Sequence, residues 1–133
     1  MTGGDIIGAL LRADAAVAAR VPESSIKGGR LPEAQPLPAL LVRTVSLVDR
    51  QPLKRSGWVR SVARVAVTVR AASYRDQNEI IALVRMCCAG KTGDIGGAKR
   101  VSILTAGLGP DVNGPGGSFE QTQDFRVSFD AEV

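Results

Sequence analysis

Enzyme chemistry in a small protein needs ionisable or nucleophilic side chains in concert, and this chain offers few. It has no histidine, which removes Ser-His-Asp and Cys-His catalysis and the usual zinc sites together. Its two cysteines, Cys87 and Cys88, are adjacent. Sequence neighbours are poorly placed for an unstrained disulfide or for shared metal ligation. They read as buried thiols of a reducing compartment, with Cys87 the one reactive group an enzyme could rest on. Gly90-Lys91-Thr92 imitates the end of a phosphate-binding loop, but the glycine needed five residues earlier is Arg85. A helical pattern also stands where that motif needs a strand, so a helix-ending turn is the better reading. The glycines at 93, 96 and 97 complete no GxGxxG motif after a strand. Asp76 and Glu79 lie one helical turn apart, where capping and the helix dipole explain them. Asp111 and Asn113, in a glycine-rich stretch, give a calcium loop too few oxygen ligands. No cofactor, metal site or catalytic group is expected.

What remains is charge carried on strands. From Trp58 to Arg70 the sequence alternates strictly. Val59, Ala63, Val65, Val67 and Val69 take one side, interrupted by Ser61. Trp58, Arg60, Val62, Arg64, Ala66, Thr68 and Arg70 take the other, which is the pattern of a strand with one buried face. Residues 119–131 place Phe119, Phe125, Val127 and Phe129 on one face, with Glu120, Asp124, Arg126 and Asp130 on the other. If the two strands are neighbours, Arg60, Arg64 and Arg70 can pair across to Glu120, Asp124 and Asp130, each pair worth about 0.2–1 kcal/mol. If they lie on different subunits, the same charges set the register of an assembly. These six residues are the candidate subunit-interface or lumen face. The cluster of Arg50, Lys54, Arg55, Arg60, Arg64 and Arg70 admits three readings: a solvated or salt-bridged face, a protein interface, or a nucleic-acid surface. The last is the weakest, because base stacking needs several exposed aromatics and only Trp58 lies on this face.

The elements carrying these residues are legible in order. Residues 5–20 form an amphipathic helix, with Asp5 at or near the N-cap and Pro22 soon after its end. Residues 21–38 contain Pro22, Pro32, Pro36 and Pro38 and form a long irregular connection, with a short extended piece at 25–27. Residues 39–48 form a strand too apolar for a simple exposed edge. A basic connection over 49–57, with Pro52 and Gly57, leads antiparallel into the strand at Trp58. Residues 73–89 form a second helix capped by Ser73, with Asp76 three residues on and Gly90 just past its end. A glycine-rich turn over 90–98 precedes a strand over 99–107. Residues 109–118 are mostly Gly, Pro and polar groups and read as a mobile loop. The order helix, strand, strand, helix, strand, strand predicts an α+β fold: one domain over 1–133, a mainly antiparallel sheet of about four strands, and two helices on one face. No secretory signal is visible and no stretch approaches a membrane span of about 20 apolar residues, so a soluble protein made in a cytoplasm is expected. The net charge of +4 permits an acidic partner without requiring nucleic acid.

Taken whole, from about Asp5 to Val133, the chain resembles the tail-completion proteins of long-tailed bacteriophages, also called tail terminator or head–tail joining proteins. The resemblance lies in the Ala-rich opening helix DIIGALLRADAAVAARV and the Pro-rich approach LPEAQPLPALLVRTVS. It continues through the valine-alternating strand, the helix SYRDQNEIIALVRMCC, and a strand–Gly-rich loop–strand finish ending in FRVSFDAEV. Gene transfer agents carry relatives of the same kind. The resemblance implies a structural virion protein at the head–tail interface of the tail. Such proteins form a hexameric ring on the end of the tail tube, stop its polymerisation and meet the head connector, while DNA passes through the lumen without sequence-specific binding. It brings no catalytic residues, cofactor or membrane contact. Partner contacts would fall on the loops carrying Lys27, Arg30, Lys54, Arg55, Asp111 and Asn113. The alternatives are another connector or tail-tube component, or a small nucleic-acid-binding α+β domain, which strong salt-dependent DNA affinity would favour.

Overall fold

The computed structural model describes residues 2–132. The alternating stretch becomes strand β3 (Trp58–Ala71), near the middle of one sheet. It runs antiparallel to β2 (Ala39–Arg50) on one side and to β7 (Phe119–Glu132) on the other. Beyond β7 lie β5 (Ala98–Leu108) and then β4 (Thr92–Ile95). Beyond β2 lies β1 (Ile26–Gly28), in parallel, and β6 (Val112–Asn113) pairs with the start of β7.

The α+β class and the mainly antiparallel sheet are as expected, but the element count is not. The described residues hold seven strands and three helices, against about four and two. The extra strands β1, β4 and β6 are two to four residues long and sit inside the Pro- and Gly-rich connections. A strand that short has no readable period; the backbone of its neighbour recruits it.

The predicted helix over 5–20 is two helices, α1 (Gly3–Ala13) and α2 (Ala15–Ala18). Asp14 separates them. Its backbone is extended, and its carboxylate accepts a 3.0 Å hydrogen bond from the Val17 N–H, so it ends one helix and caps the next. The first cap is Thr2 rather than Asp5. Thr2 Oγ1 accepts from the Asp5 N–H at 3.1 Å, and Asp5 Oδ2 accepts from the Thr2 N–H at 2.9 Å, a complete capping box. Helix α3 (Tyr74–Cys88) begins as read, with Ser73 Oγ accepting from the Asp76 N–H at 3.1 Å. Gly90, at φ +77°, takes the left-handed position after its end.

The helices cover one face of the sheet. Ile6, Ile7 and Leu11 from α1 join Ile80, Val84 and Cys88 from α3 over Val65, Val67, Ile103, Phe125 and Val127, all buried in one cluster. Helix α1 meets the sheet at Gly3, where a Cβ would lie 2.7 Å from Ala63 Cβ.

Three carboxyls are held below their ordinary values, which fixes the sign of an acid response. For Asp5 the main cause is the hydrogen bond from the Thr2 N–H. For Glu79 it is Arg75, then Arg20, and for Asp94 the Arg100 N–H, then Lys99. A depressed folded-state pKa gives stability that is complete above the unfolded values, 3.8 for aspartate and 4.5 for glutamate, and is lost as pH falls through the folded values. The thermal midpoint is therefore expected to hold level from neutral pH down to about 5 and to fall below about 4. Thr2→Ala should lower stability by about 1 kcal/mol at neutral pH and flatten part of that acid slope, both readable by calorimetry.

Candidate assembly surface

On the sheet face away from the helices, β3 and β7 set their charges opposite one another. Arg60 is in register with Asp130, Thr68 with Thr122 and Arg70 with Glu120. Arg60 Nη1 reaches Asp130 Oδ1 at 3.1 Å, Arg64 Nε reaches Asp124 Oδ2 diagonally at 2.7 Å, and Arg70 Nε reaches Glu120 Oε2 at 2.6 Å. The six candidate residues are thus three ion pairs within one chain, with Thr68 and Thr122 hydrogen-bonded at 2.8 Å between the second and the third.

The pairs differ in setting. Arg70 is 8% exposed and also donates to the Pro32 carbonyl at 2.7 Å, under the proline-rich connection. Arg64 is exposed and donates to the Ala106 carbonyl at 2.8 Å, while Arg60 donates to the Arg100 carbonyl at 2.7 Å. These two arginines reach β5 at the two breaks in its backbone register with β7, between Lys99 and Ser102 and between Thr105 and Leu108. Gln123, reaching the Gly107 carbonyl at 3.1 Å, and Gln121, reaching that of Gly109 at 3.0 Å, continue the role where β5 leaves β7. Arg126 is exposed, stands opposite Arg64, and makes no ion pair among the described residues. Reversing Arg60 and Arg64 would therefore disturb folding as well as any contact between copies.

The expectation that residues 39–48 are too apolar for an exposed edge is overturned. Strand β1 pairs only with Leu40–Val42, so β2 beyond Val42 has no outer neighbour among the described residues. Val45, Leu47 and Val48 are 57%, 54% and 63% exposed. A bulge between Thr44 and Ser46 bends this edge, one of the devices that blunt an open strand. Leu53 at the hairpin tip is fully exposed and Trp58 half so. On the opposite side of the sheet, the last β5–β4 register pair is Ser102 with Thr92, and Leu104 and Leu108 are exposed. The sequence reading missed this apolar edge. The available signal was an apolar run with no predicted element left to cover it.

The candidate loop residues divide. Arg30, Lys54 and Arg55 are exposed, and Lys27 sits half-buried in β1. Asp111 and Asn113 do not lie in a free loop. Asp111 accepts from Tyr74 Oη at 3.0 Å and Gln77 Nε2 at 2.9 Å, and Asn113 pairs with Phe119 in the sheet. The predicted mobile loop is pinned because its backbone finds the open edge of β7 and its one carboxylate finds α3.

Asp76 and Glu79 are occupied by Arg20, at 3.2 and 2.9 Å, a clamp between α2 and α3 rather than an acid–base pair. Cys87 and Cys88 are buried and unbridged. The hydrogen bond to the Cys87 sulfur, then burial, push the Cys88 thiol far above its ordinary value. Labelling of either by a maleimide should need local opening; an opening of about 3 kcal/mol already slows it about a hundredfold relative to a free thiol. Rapid native labelling at neutral pH would mark a reactive cysteine instead.

Fold and surface are those of an interaction module, an α+β domain that leaves apolar strand edges in water and gathers its buried charges into pairs. The chain belongs to the family described as tail completion protein gp17, whose model matches residues 6–129. It is thus a tail-completion protein of the bacteriophage type, a structural component of a virion. Among solved structures, a chain in the virion of a native gene transfer agent particle is similar at a TM-score of 0.69 and 16% identity. The match covers 97% of this chain and 95% of that one. A second solved chain matches at a TM-score of 0.59 and 14% identity, over 97% and 96%. At these identities the likeness is one of fold. Among curated proteins, none matches.

Proposed function

We propose that the chain forms a ring, of six copies, on the head-proximal end of the tail tube, ending tube polymerisation and joining the tail to the head connector. The observation that carries this reading is the uncovered edge of β2 with its apolar residues, in a member of a tail-completion family. A strand edge open on one side of a sheet, and another open at β5, suit head-to-tail contacts between copies, which make a ring where the rotation between copies closes. The sheet face carrying Arg60, Arg64 and Arg126 would line the lumen, where Arg126, with no ion-pair partner among the described residues, gives DNA a weak, sequence-independent attraction.

Density averaged about the tail axis of a purified particle tests the reading. A single ring of this chain between tube and connector is the expected result. Stacked copies along the tube would make it a tube component. Absence from the particle, together with tight salt-dependent DNA binding by the isolated chain, would move it to the nucleic-acid class.

A further inference from the structure

Beside the loop end of the β2–β3 hairpin, on the helix-covered side of the sheet, lies an apolar groove of about 300 Å³. Val59, Ala63 and Phe129 line it and are buried; Leu47, exposed, lines it too. Two carboxylates stand at it, Asp49 and Glu132, both exposed and neither ion-paired among the described residues. The tip of the same hairpin has the opposite character. Leu53 is fully exposed, and Lys54 and Arg55 beside it are exposed cations. An apolar knob with two positive charges and an apolar hole with two negative charges therefore sit on one chain. Leu53 does not fill the hole of its own chain, since it is fully exposed.

We propose that the hairpin tip of one copy seats in this groove on the next. Leu53 then fills the apolar floor, with Lys54 and Arg55 against Asp49 and Glu132. The inference rests on the self-assembly reading above and names the contact that would carry it. Because knob and hole are different surfaces, the contact is head-to-tail and propagates around a ring rather than stopping at a twofold dimer. It also removes the most exposed apolar side chain from water, which a lone copy leaves unprotected.

Short-span bis-maleimide cross-linking of the assembled protein tests it, with Leu53→Cys and Ala131→Cys in the same chain. Ala131 also lines the groove, and the buried Cys87 and Cys88 make the unmodified protein the blank. The double variant is expected to give a ladder of multimers up to the closed ring, while each single variant gives none. A ring seen by native mass spectrometry without a ladder overturns this docking and leaves the ring reading standing. No assembled form under any condition, the tail tube included, overturns both. Cross-linking confined to single chains, or to a different virion protein, also overturns it.

Charge exchange supplies an independent arm at surface positions that do not carry the fold. Lys54→Glu with Arg55→Glu is expected to weaken assembly at least about tenfold. Adding Glu132→Lys should recover a substantial part of that loss. A loss that the added lysine leaves untouched overturns the proposed pairing.

Discussion

Arg70→Met is expected to destabilise the folded chain by about 3–5 kcal/mol, the loss seen when one partner of a buried charge pair is removed. The guanidinium is 8% exposed and holds two acceptors, Glu120 Oε2 at 2.6 Å and the Pro32 carbonyl at 2.7 Å. Methionine fills much of the same space but leaves a largely buried carboxylate and a carbonyl without a partner. Arg64→Met removes an equally short ion pair, 2.7 Å to Asp124, from a side chain that is 47% exposed. Asp124 is about as covered as Glu120, at 20% against 19%, so the contrast rests on the arginine: water replaces the exposed Arg64 more readily than the covered Arg70, and the loss should be about 1–2 kcal/mol. Urea unfolding of the two variants side by side measures the contrast. Pairing Arg70→Met with Glu120→Leu should restore most of the loss, because no orphaned charge is left behind. Equal effects at positions 70 and 64 would show that burial does not separate these pairs.

That contrast marks how far the sequence could be read. The alternation from Trp58 to Arg70 placed every inward residue correctly, and the charges on the other face left two arrangements open, pairing with β7 in one chain or across subunits, of which the register displays the first. Alternation says which way a side chain points, and nothing of what lies above it. Arg60, Arg64 and Arg70 share one face, yet only Arg70 is covered, since the connection around Pro32 crosses that end of the sheet alone.

The same limit explains the error at β2. Val45, Leu47 and Val48 have the composition of a buried strand, and whether a neighbour exists depends on β1, three residues long and stopping opposite Val42. Long periodic elements are determined locally and were legible. Short strands, and the coverage they provide or withhold, are set by tertiary contacts and were not. The exposed apolar edge belongs to the second kind, and it is also where the proposed assembly surface lies. A contiguous apolar patch that a lone chain leaves in water is the sign of a partner, where a single exposed residue is not.

Helix α1 offers the second large effect, from a close approach that no side-chain pattern announces. Gly3→Val is expected to destabilise by about 2–3 kcal/mol through overpacking. The new Cβ would lie 2.7 Å from Ala63 Cβ and 3.0 Å from Val65 Cγ2, and Ala63 Cβ is fixed to the central strand and cannot swing aside. The helix must lift, loosening Ile6 and Ile7 from the core and widening the groove that Gly3 helps to line. Gly4→Ala is the matched control. Its Cβ would crowd Thr44 Oγ1, at 3.3 Å, at the end of a side chain that can rotate, and would meet Thr2 Oγ1 at 3.7 Å and Val42 Cγ1 at 3.9 Å in ordinary contact. Helix propensity offsets that small crowding, and the net change should stay within about 0.5 kcal/mol. Thermal unfolding of both variants, with hydrogen exchange at Ile6 and Ile7, separates a lifted helix from general loosening. If the two substitutions cost the same, α1 does not rest on the sheet at Gly3, and the groove beside it is not fixed by the fold.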